Sequence, residues 1–105
     1  MTANNRTIYS VSEIKDMLLP VFAAAPVYKA VLFGSYAKGQ ATEKSDVDIV
    51  IDSRGELVNI NFYGVLEDVT ETLKKPVDLI EVSEIRANSP ITDALRREGV
   101  ILYER

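Results

Sequence analysis

The 105-residue chain contains no cysteine and no histidine. Without cysteine, neither disulfides nor thiolate zinc sites can form. Without histidine, Ser-His-Asp triads, imidazole general bases and imidazole metal sites are also excluded. Any chemistry must therefore rest on carboxylates, hydroxyls, Lys and Arg side chains, or backbone amides.

Long apolar runs and blocks of positive charge are missing as well. No stretch approaches the ~20 apolar residues of a membrane span, and the N-terminal stretch MTANNRTIYS lacks the apolar core of a signal peptide. We therefore expect a cytoplasmic protein with no membrane partner. The 12 Lys and Arg residues are scattered among 16 Asp and Glu residues, which argues against direct nucleic-acid binding. The length predicts one domain, residues 1–105, with a core so small that association with a second copy or a partner is a reasonable expectation.

The first predicted element is a helix at residues 11–24. Ser10 followed by Glu13 has the spacing of a capping box, and apolar residues at helical spacing follow. Pro20 lies inside this pattern, so the helix either kinks there or ends at Leu19.

The rest of the chain alternates between strand and helix patterns, separated by Gly, Pro and Ser signals. This order predicts an α/β domain (mixed α+β), in which a small mixed sheet is flanked by helices. The predicted elements are strands at 27–33, 46–52, 77–82 and 100–104, a turn at 53–56, and helices at 57–74 and 90–97, the last with Ser89 as N-cap and Gly99 at its end.

Two carboxylates occupy the strand predicted at 46–52. Asp46 and Asp48 are two positions apart, so they project to one face with ~6.6–6.8 Å between their Cα atoms. At ~6 Å and an effective dielectric of ~20, two such charges repel by roughly 2–3 kcal/mol. A divalent cation would reverse the sign of that term, and oxygen ligands favour Mg²⁺ or Mn²⁺. The pattern predicts a metal site, although on spacing alone the pair could instead decorate a solvated face.

Asp78 is the predicted third ligand, because it also lies in an apolar strand without a local partner. Three carboxylates converge if the strand at 77–82 pairs beside the strand at 46–52, a pairing that the sequence does not reveal. Asp52 lies next to a turn and is interpreted as a strand-end residue.

Gly34 and Ser35 follow a buried strand, where a tight turn into a short helix would present free backbone amides and a hydroxyl to an anion. Phosphates held there would lie close to a cation on Asp46 and Asp48, which suggests Mg²⁺ and a nucleoside triphosphate together. In isolation, Gly-Ser is an ordinary turn.

Five other residues are candidates for contact with the nucleotide or a partner. Lys38 and Lys44 flank the phosphate turn but are interpreted as surface lysines. Tyr36 could stack on a base or pack against a helix. Arg96 and Arg97 end a helix, where the helix dipole already favours them, and either could reach the nucleotide or an acidic partner.

Gly34-Ser35, ten intervening residues, Asp46-x-Asp48 and then Asp78 together resemble the active-site signature of the polymerase-β-type nucleotidyltransferase superfamily. The stretches LFGSYAKGQATEKSDVDIVI, KKPVDLIEV and ALRREGVILYER are similar to minimal nucleotidyltransferase (MNT) proteins. The resemblance runs from about residue 27 to residue 105 and implies the nucleotidyltransferase fold.

The resemblance also implies roles for these residues. Gly34 and Ser35 would hold the triphosphate of ATP. Asp46 and Asp48 would bind two Mg²⁺ ions, for which Mn²⁺ can substitute, and Asp78 would bind the catalytic ion and help to activate the attacking hydroxyl.

MNT proteins of this size are typically paired with a HEPN-domain RNase toxin, which implies an antitoxin that transfers AMP from ATP to a tyrosine of that toxin. Two alternatives stay open. One is a non-catalytic antitoxin that neutralises its partner by stoichiometric binding. The other is a metal-dependent phosphoryl enzyme acting on a small alcohol, which is less favoured because the chain has no second domain to form the pocket.

Overall fold

The computed structural model describes residues 6–105, and the first five residues of the predicted domain lie outside this range. Eight main elements follow one another in the order predicted from the sequence, with one short helix, α2, at the expected turn. They are α1 (Val11–Ala23), β1 (Lys29–Phe33), α2 (Gly34–Ala37), β2 (Val47–Asp52), α3 (Ile60–Leu73), β3 (Val77–Glu81), α4 (Pro90–Glu98) and β4 (Val100–Glu104), with a 3-10 turn at Val82–Glu84.

The four strands form one mixed sheet in the order β3-β2-β1-β4. β1 is antiparallel to both of its neighbours, β2 and β4. β2 and β3 are parallel and are joined through α3. Because of these directions, the end of β1 meets the beginnings of β2 and β3 at one edge of the sheet. The predicted mixed sheet flanked by helices is confirmed.

One face of the sheet, the inner face, is covered by α1 and α3 and holds the core. In β2, alternation places Val47, Ile49 and Ile51 on this face, as the period of two predicts. The other face, the outer face, carries Asp48 and is partly covered by α4. The fully buried side chains of the core include Ile14, Leu18, Phe22, Leu32, Val47, Ile49, Ile51, Val69, Leu73 and Leu102.

The capping box at the start of α1 forms as predicted. Glu13 N donates to Ser10 Oγ at 3.1 Å, and Ser10 N donates to Glu13 Oε1 at 2.8 Å. The helix then continues through Pro20 and ends at Ala23, so the predicted alternative of an end at Leu19 is wrong. Pro20 has no backbone N–H, so the carbonyl of Asp16 lacks its usual helical hydrogen-bond donor. Both residues are exposed, so a water molecule can donate to that carbonyl instead.

Several element boundaries differ from the prediction. α3 begins at Ile60 rather than at 57, because Asn59 has φ 53° and ψ −125°, which are not helical angles. β1 begins at Lys29 rather than at 27, since Val27 N is bonded to Ala25 O in a turn at 2.7 Å. No helix within residues 6–105 is long and apolar enough to cross a membrane.

Candidate active site

The predicted site residues lie at the sheet edge where β1 ends and β2 and β3 begin. Phe33 pairs with Asp48 across the antiparallel ladder, and Asp48 pairs with Asp78 across the parallel one. Val47 N donates to Pro76 O at 3.0 Å, which fixes the starts of β2 and β3 against each other. Residues directly opposite on neighbouring strands share a face, so Asp48 and Asp78 both lie on the outer face.

Asp48 is the central carboxylate of this edge. It is half-buried, and no residue within 6–105 donates a hydrogen bond to its carboxylate. Burial raises the pKa of its carboxyl above the ordinary value, and the charges of Asp78 and then Asp46 raise it further. The ionised form of Asp48 is therefore disfavoured by its surroundings.

Asp46 lies just outside β2, although the sequence predicted it within the strand. The ladder begins only at Val47, because the preceding residues form a turn in which Thr42 N donates to Ser45 Oγ at 2.9 Å and Ser45 N donates to Thr42 O at 3.0 Å. Asp46 is consequently exposed at the mouth of the edge. Its charge still contributes to the raised pKa of Asp48, so the two carboxylates are electrostatic neighbours.

Within residues 6–105, no group of three or more acidic side chains is drawn together closely enough to hold a metal ion as it stands. The structure thus places Asp46, Asp48 and Asp78 side by side at one edge without closing them into a coordination shell. The assignment of these three residues as metal ligands stays a prediction.

Gly34 is pressed against Asp48 at the start of α2. Its φ is +75°, which favours glycine, and a Cβ at this position would overlap Asp48 Oδ2 and lie 3.2 Å from Asp48 Cγ. Phe33, the N-cap, supplies no capping side chain, and the N–H groups of a first helical turn have no intrahelical acceptor. The turn at Gly34 and Ser35 therefore presents amides, a hydroxyl and no added bulk beside the carboxylate.

The remaining residues considered around the turn have structural explanations. Tyr36 is 3% exposed and packs in the core, so it is not available to stack on a base. Lys38 Nζ is 3.8 Å from Glu98 Oε2 of α4, and Lys44 is exposed. Asp52 is the last residue of β2, where its Oδ1 accepts from Arg54 N at 2.9 Å, consistent with its interpretation as a strand-end residue.

Phe33 is a neighbour of the site that sequence reasoning missed. It is buried on the outer face directly beside Asp48, where it contributes to the low-dielectric surroundings of that carboxylate. The alternation of β1 could have indicated this position, because Phe33 and Val31 are two residues apart and share a face, whereas the core residue Leu32 lies on the other face. The pairing of β1 with β2 was needed to place it.

The types of donor at this edge suit a divalent metal together with a triphosphate. The donors at the edge are oxygen atoms only, which suits Mg²⁺ or Mn²⁺. Asp48 lacks a hydrogen-bond donor within residues 6–105 and has a raised carboxyl pKa, both of which a bound cation would compensate. Gly34, which begins the phosphate turn, lies in direct contact with the Asp48 carboxylate.

Comparison with known proteins agrees with this geometry. Residues 12–101 match the family model described as the nucleotidyltransferase domain. A protein of Methanocaldococcus jannaschii, named as a candidate protein adenylyltransferase, is 36% identical over 84 residues, which span 73% of this chain and 79% of the relative.

Several solved structures share the fold, among them two from toxin-antitoxin complexes. One is a chain from a toxin-antitoxin crystal structure with AMP-PNP, with a TM-score of 0.73 and 20% identity, covering 87% of this chain and 73% of that one. The other comes from a structure of a tri-AMPylated Shewanella oneidensis HEPN toxin in complex with an MNT antitoxin. It has a TM-score of 0.68 and 18% identity, and the match covers 90% of this chain and 73% of that one.

Proposed function

The chain belongs to the nucleotidyltransferase domain family, and on that premise we propose that it transfers AMP from ATP to a hydroxyl of a partner protein. The observation that carries the proposal is the strand register, which sets Asp48 beside Asp78 at the edge where Gly34 is pressed against Asp48. Phosphates bound at the turn would lie directly beside the carboxylates.

The turn residues hold the nucleotide in this proposal. The free N–H groups at the start of α2 and the Ser35 hydroxyl donate hydrogen bonds to the triphosphate. Gly34 allows the turn to lie directly against Asp48, because any side chain there would collide with that carboxylate. Phe33 shields the Asp48 side of the site from water.

Asp46, Asp48 and Asp78 would hold two Mg²⁺ ions. Bound there, the ions supply neutralisation of phosphate charge and a lowered pKa for the attacking hydroxyl. Asp78 is exposed and, in this proposal, would orient that hydroxyl and accept its hydrogen bond. A bond forms between the acceptor oxygen and the α-phosphorus while the bond to the β-phosphate oxygen breaks, so the products are an AMP ester and pyrophosphate.

The proposed acceptor is a tyrosine hydroxyl of a HEPN-domain toxin, which makes this chain an antitoxin acting in the cytoplasm. Support comes from the relative named for protein adenylyltransferase activity and from the shared fold with a chain of the HEPN toxin and MNT antitoxin complex. The formal net charge of −4 gives no reason to expect a nucleic-acid acceptor.

The test uses ATP labelled at the α-phosphate, Mg²⁺ and the product of the neighbouring gene, which under this proposal is a HEPN-domain protein. The wild-type chain should label that protein, and the double variant Asp46→Asn, Asp48→Asn should not. Asp68→Asn serves as the control, because Asp68 is an exposed carboxylate on α3, on the layer opposite the outer face of the sheet. Labelling that persists in the double variant would remove the metal role of the two carboxylates.

A non-catalytic antitoxin is the second candidate, because the three carboxylates within the described residues are not closed into a metal-holding group. In that case neutralisation depends only on binding. Co-expression with the toxin separates the two functions: the double variant restores growth if binding suffices and fails to do so if AMP transfer is required.

A further inference from the structure

An apolar groove lies on the outer face of the sheet, next to the carboxylates. We call it the outer groove and define it by Val31, Val50, Val82, Leu95, Arg96 and Ile101, which line a cavity of about 480 Å³. In the sheet, Val50 pairs with Val31, and Val31 pairs with Ile101, so three apolar side chains form one row across the strands.

This row is the immediate neighbour of the carboxylate row. Val50 and Asp48 are two residues apart on β2 and share a face, as do Val31 and Phe33 on β1. Gly34 follows Phe33 in the direction away from Val31. The phosphate turn and the outer groove therefore lie on opposite sides of Asp48.

That placement decides what the groove is suited to bind. In phosphoryl transfer the attacking oxygen and the leaving group stand roughly in line on opposite sides of the phosphorus. With the triphosphate at the Gly34 turn and the carboxylates beside the α-phosphate, the pyrophosphate leaves on the turn side. An acceptor oxygen that arrives from the side of the groove would meet this in-line requirement.

The groove has a preformed wall and exposed apolar side chains. A Cβ at Gly99 would lie 2.9 Å from Val31 Cγ1, so the end of α4 is seated tightly on the sheet. Ile101 is 45% exposed and Val82 is 42% exposed, which leaves apolar surface for a partner to cover.

Charge at the rim points to an acidic group on the occupant. Three charged residues line the groove, and two of them already have partners: Lys29 Nζ is 3.7 Å from Glu104 Oε2, and Asp52 Oδ1 accepts from Arg54 N. Arg96 makes no ion pair with any residue in 6–105. Arg97, the next residue on α4, is also exposed but does not line the groove. The two arginines therefore form a matched pair, of which only Arg96 would meet the occupant.

We propose that the outer groove binds the acceptor protein, through an apolar segment that carries the hydroxyl to be modified and has an acidic side chain opposite Arg96. This inference rests on the proposed function. It goes further in assigning acceptor recognition to Val31, Val50, Ile101 and Arg96, which lie apart from the nucleotide turn. The adenine ring is the competing occupant, and the in-line geometry disfavours it because the nucleotide enters from the other side.

The experiment compares two pairs of variants in the full chain. Ile101→Asp places a charge in the groove, and Ile60→Asp makes the same change at a residue of α3 that is 81% exposed and lies on the other layer. Arg96→Glu is matched by Arg97→Glu. Calorimetry measures the affinity for the purified HEPN-domain protein and, separately, for AMP-PNP with Mg²⁺, and steady-state transfer assays give KM for each substrate.

Ile101→Asp and Arg96→Glu should each weaken binding of the HEPN-domain protein about tenfold and raise its KM by a similar factor. Ile101→Asp removes roughly half of a buried aliphatic side chain from the interface, and Arg96→Glu removes one ion pair. Affinity for AMP-PNP should change less than twofold, and the two control variants should behave as wild type. Where Ile101→Asp fails to fold, Ile101→Thr replaces it, with about a threefold effect expected.

Two results overturn the inference. Unchanged affinity for the HEPN-domain protein in both groove variants means that the acceptor docks elsewhere. A loss of AMP-PNP affinity with unchanged protein affinity means that the groove holds the base. Absence of AMP transfer by the wild-type chain is a different result, because it overturns the proposed function. The binding measurements would still decide whether the acceptor protein or the adenine ring occupies the groove.

Discussion

Replacing Asp48 with asparagine should stabilise the metal-free chain. The Asp48 side chain lies in register with Asp78 and close to Asp46, and no residue within 6–105 donates a hydrogen bond to its carboxylate. An asparagine side chain at this position would have nearly the same shape without the charge. The substitution therefore removes a repulsion and sacrifices no hydrogen bond within the described chain.

Coulomb's law sets the size of the effect. Two unit charges ~6 Å apart interact by roughly 3 kcal/mol at an effective dielectric of ~20 and by roughly 0.7 kcal/mol in water. Asp46 and Asp78 are exposed, so solvent screens both pairs and the lower end applies. We expect a gain of about 1 kcal/mol in the free energy of unfolding, or about 4–8 °C in Tm for a domain of this size.

Thermal unfolding in EDTA at pH 7 measures this gain, and lowering the pH tests its origin. The carboxyl pKa of Asp48 is raised in the folded state, so folding favours its protonated form. The contribution of Asp48 to stability is therefore greatest below its unfolded pKa, near 3.8, and is lost as the pH rises through the raised folded value. The advantage of Asp48→Asn should shrink as the pH falls towards 4.

Adding Mg²⁺ should reverse the order of the two proteins. At ten times its dissociation constant, a bound ion stabilises the wild-type chain by ~1.4 kcal/mol and the variant by much less. Asp52→Asn, the control, should stay within about 0.5 kcal/mol of wild type in both conditions, because an asparagine oxygen can still accept from Arg54 N. Equal or lower stability of Asp48→Asn in EDTA, or equal stabilisation of both proteins by Mg²⁺, would refute the reasoning.

Three further substitutions test other parts of the structure. Gly34→Ala should reduce AMP transfer more than tenfold in the labelling assay and lower the free energy of unfolding by about 2–3 kcal/mol, because the added Cβ would collide with Asp48. Gly39 has a similar φ of +71° but nothing within 4 Å of an added Cβ, so Gly39→Ala should lower the free energy of unfolding by only about 1 kcal/mol and leave AMP transfer unchanged. Ser53→Ala should destabilise by about 2–3 kcal/mol in urea unfolding, because the Ser53 hydroxyl donates to the buried Glu81 carboxylate at 2.9 Å. Tyr36→Phe should raise stability by about 1 kcal/mol in the same measurement, since the Tyr36 hydroxyl is buried without a partner in the described chain, and a loss of stability would reveal a partner.

The elements of the fold could be predicted from the sequence because their signals are local. The Ser10 and Glu13 pair marks the start of α1, and the Pro90 to Gly99 stretch marks α4 with an error of one residue at its end. The predicted start of α3 was wrong by three residues. The positive φ of Asn59 ends the preceding loop, and the apolar residue Leu57, which fits the helical spacing, gives no sign of it.

The candidate site was predictable only in part, for a different physical reason. Alternation put Asp48 and Asp78 each on a polar strand position, but 30 positions and a helix separate them along the chain. Only the parallel register of β2 with β3 places them opposite each other. The outer groove depends on still more distant information, since Ile101 reaches Val31 through the β1–β4 pairing and the position of α4 supplies the wall.

The carboxylates and the outer groove each lower the stability of this chain when no ligand is bound. Asp48 keeps a disfavoured charge half-buried beside two other carboxylates, and Ile101 and Val82 leave apolar surface in contact with water. Anything that binds only the folded state stabilises it by mass action, so a cation at the first and an apolar segment at the second would each relieve one of these terms. Because Asp48 and Val50 are neighbours on one strand, the two ligands would meet at a single place. A domain this small thus gives up stability where nucleotide, metal and acceptor would have to come together.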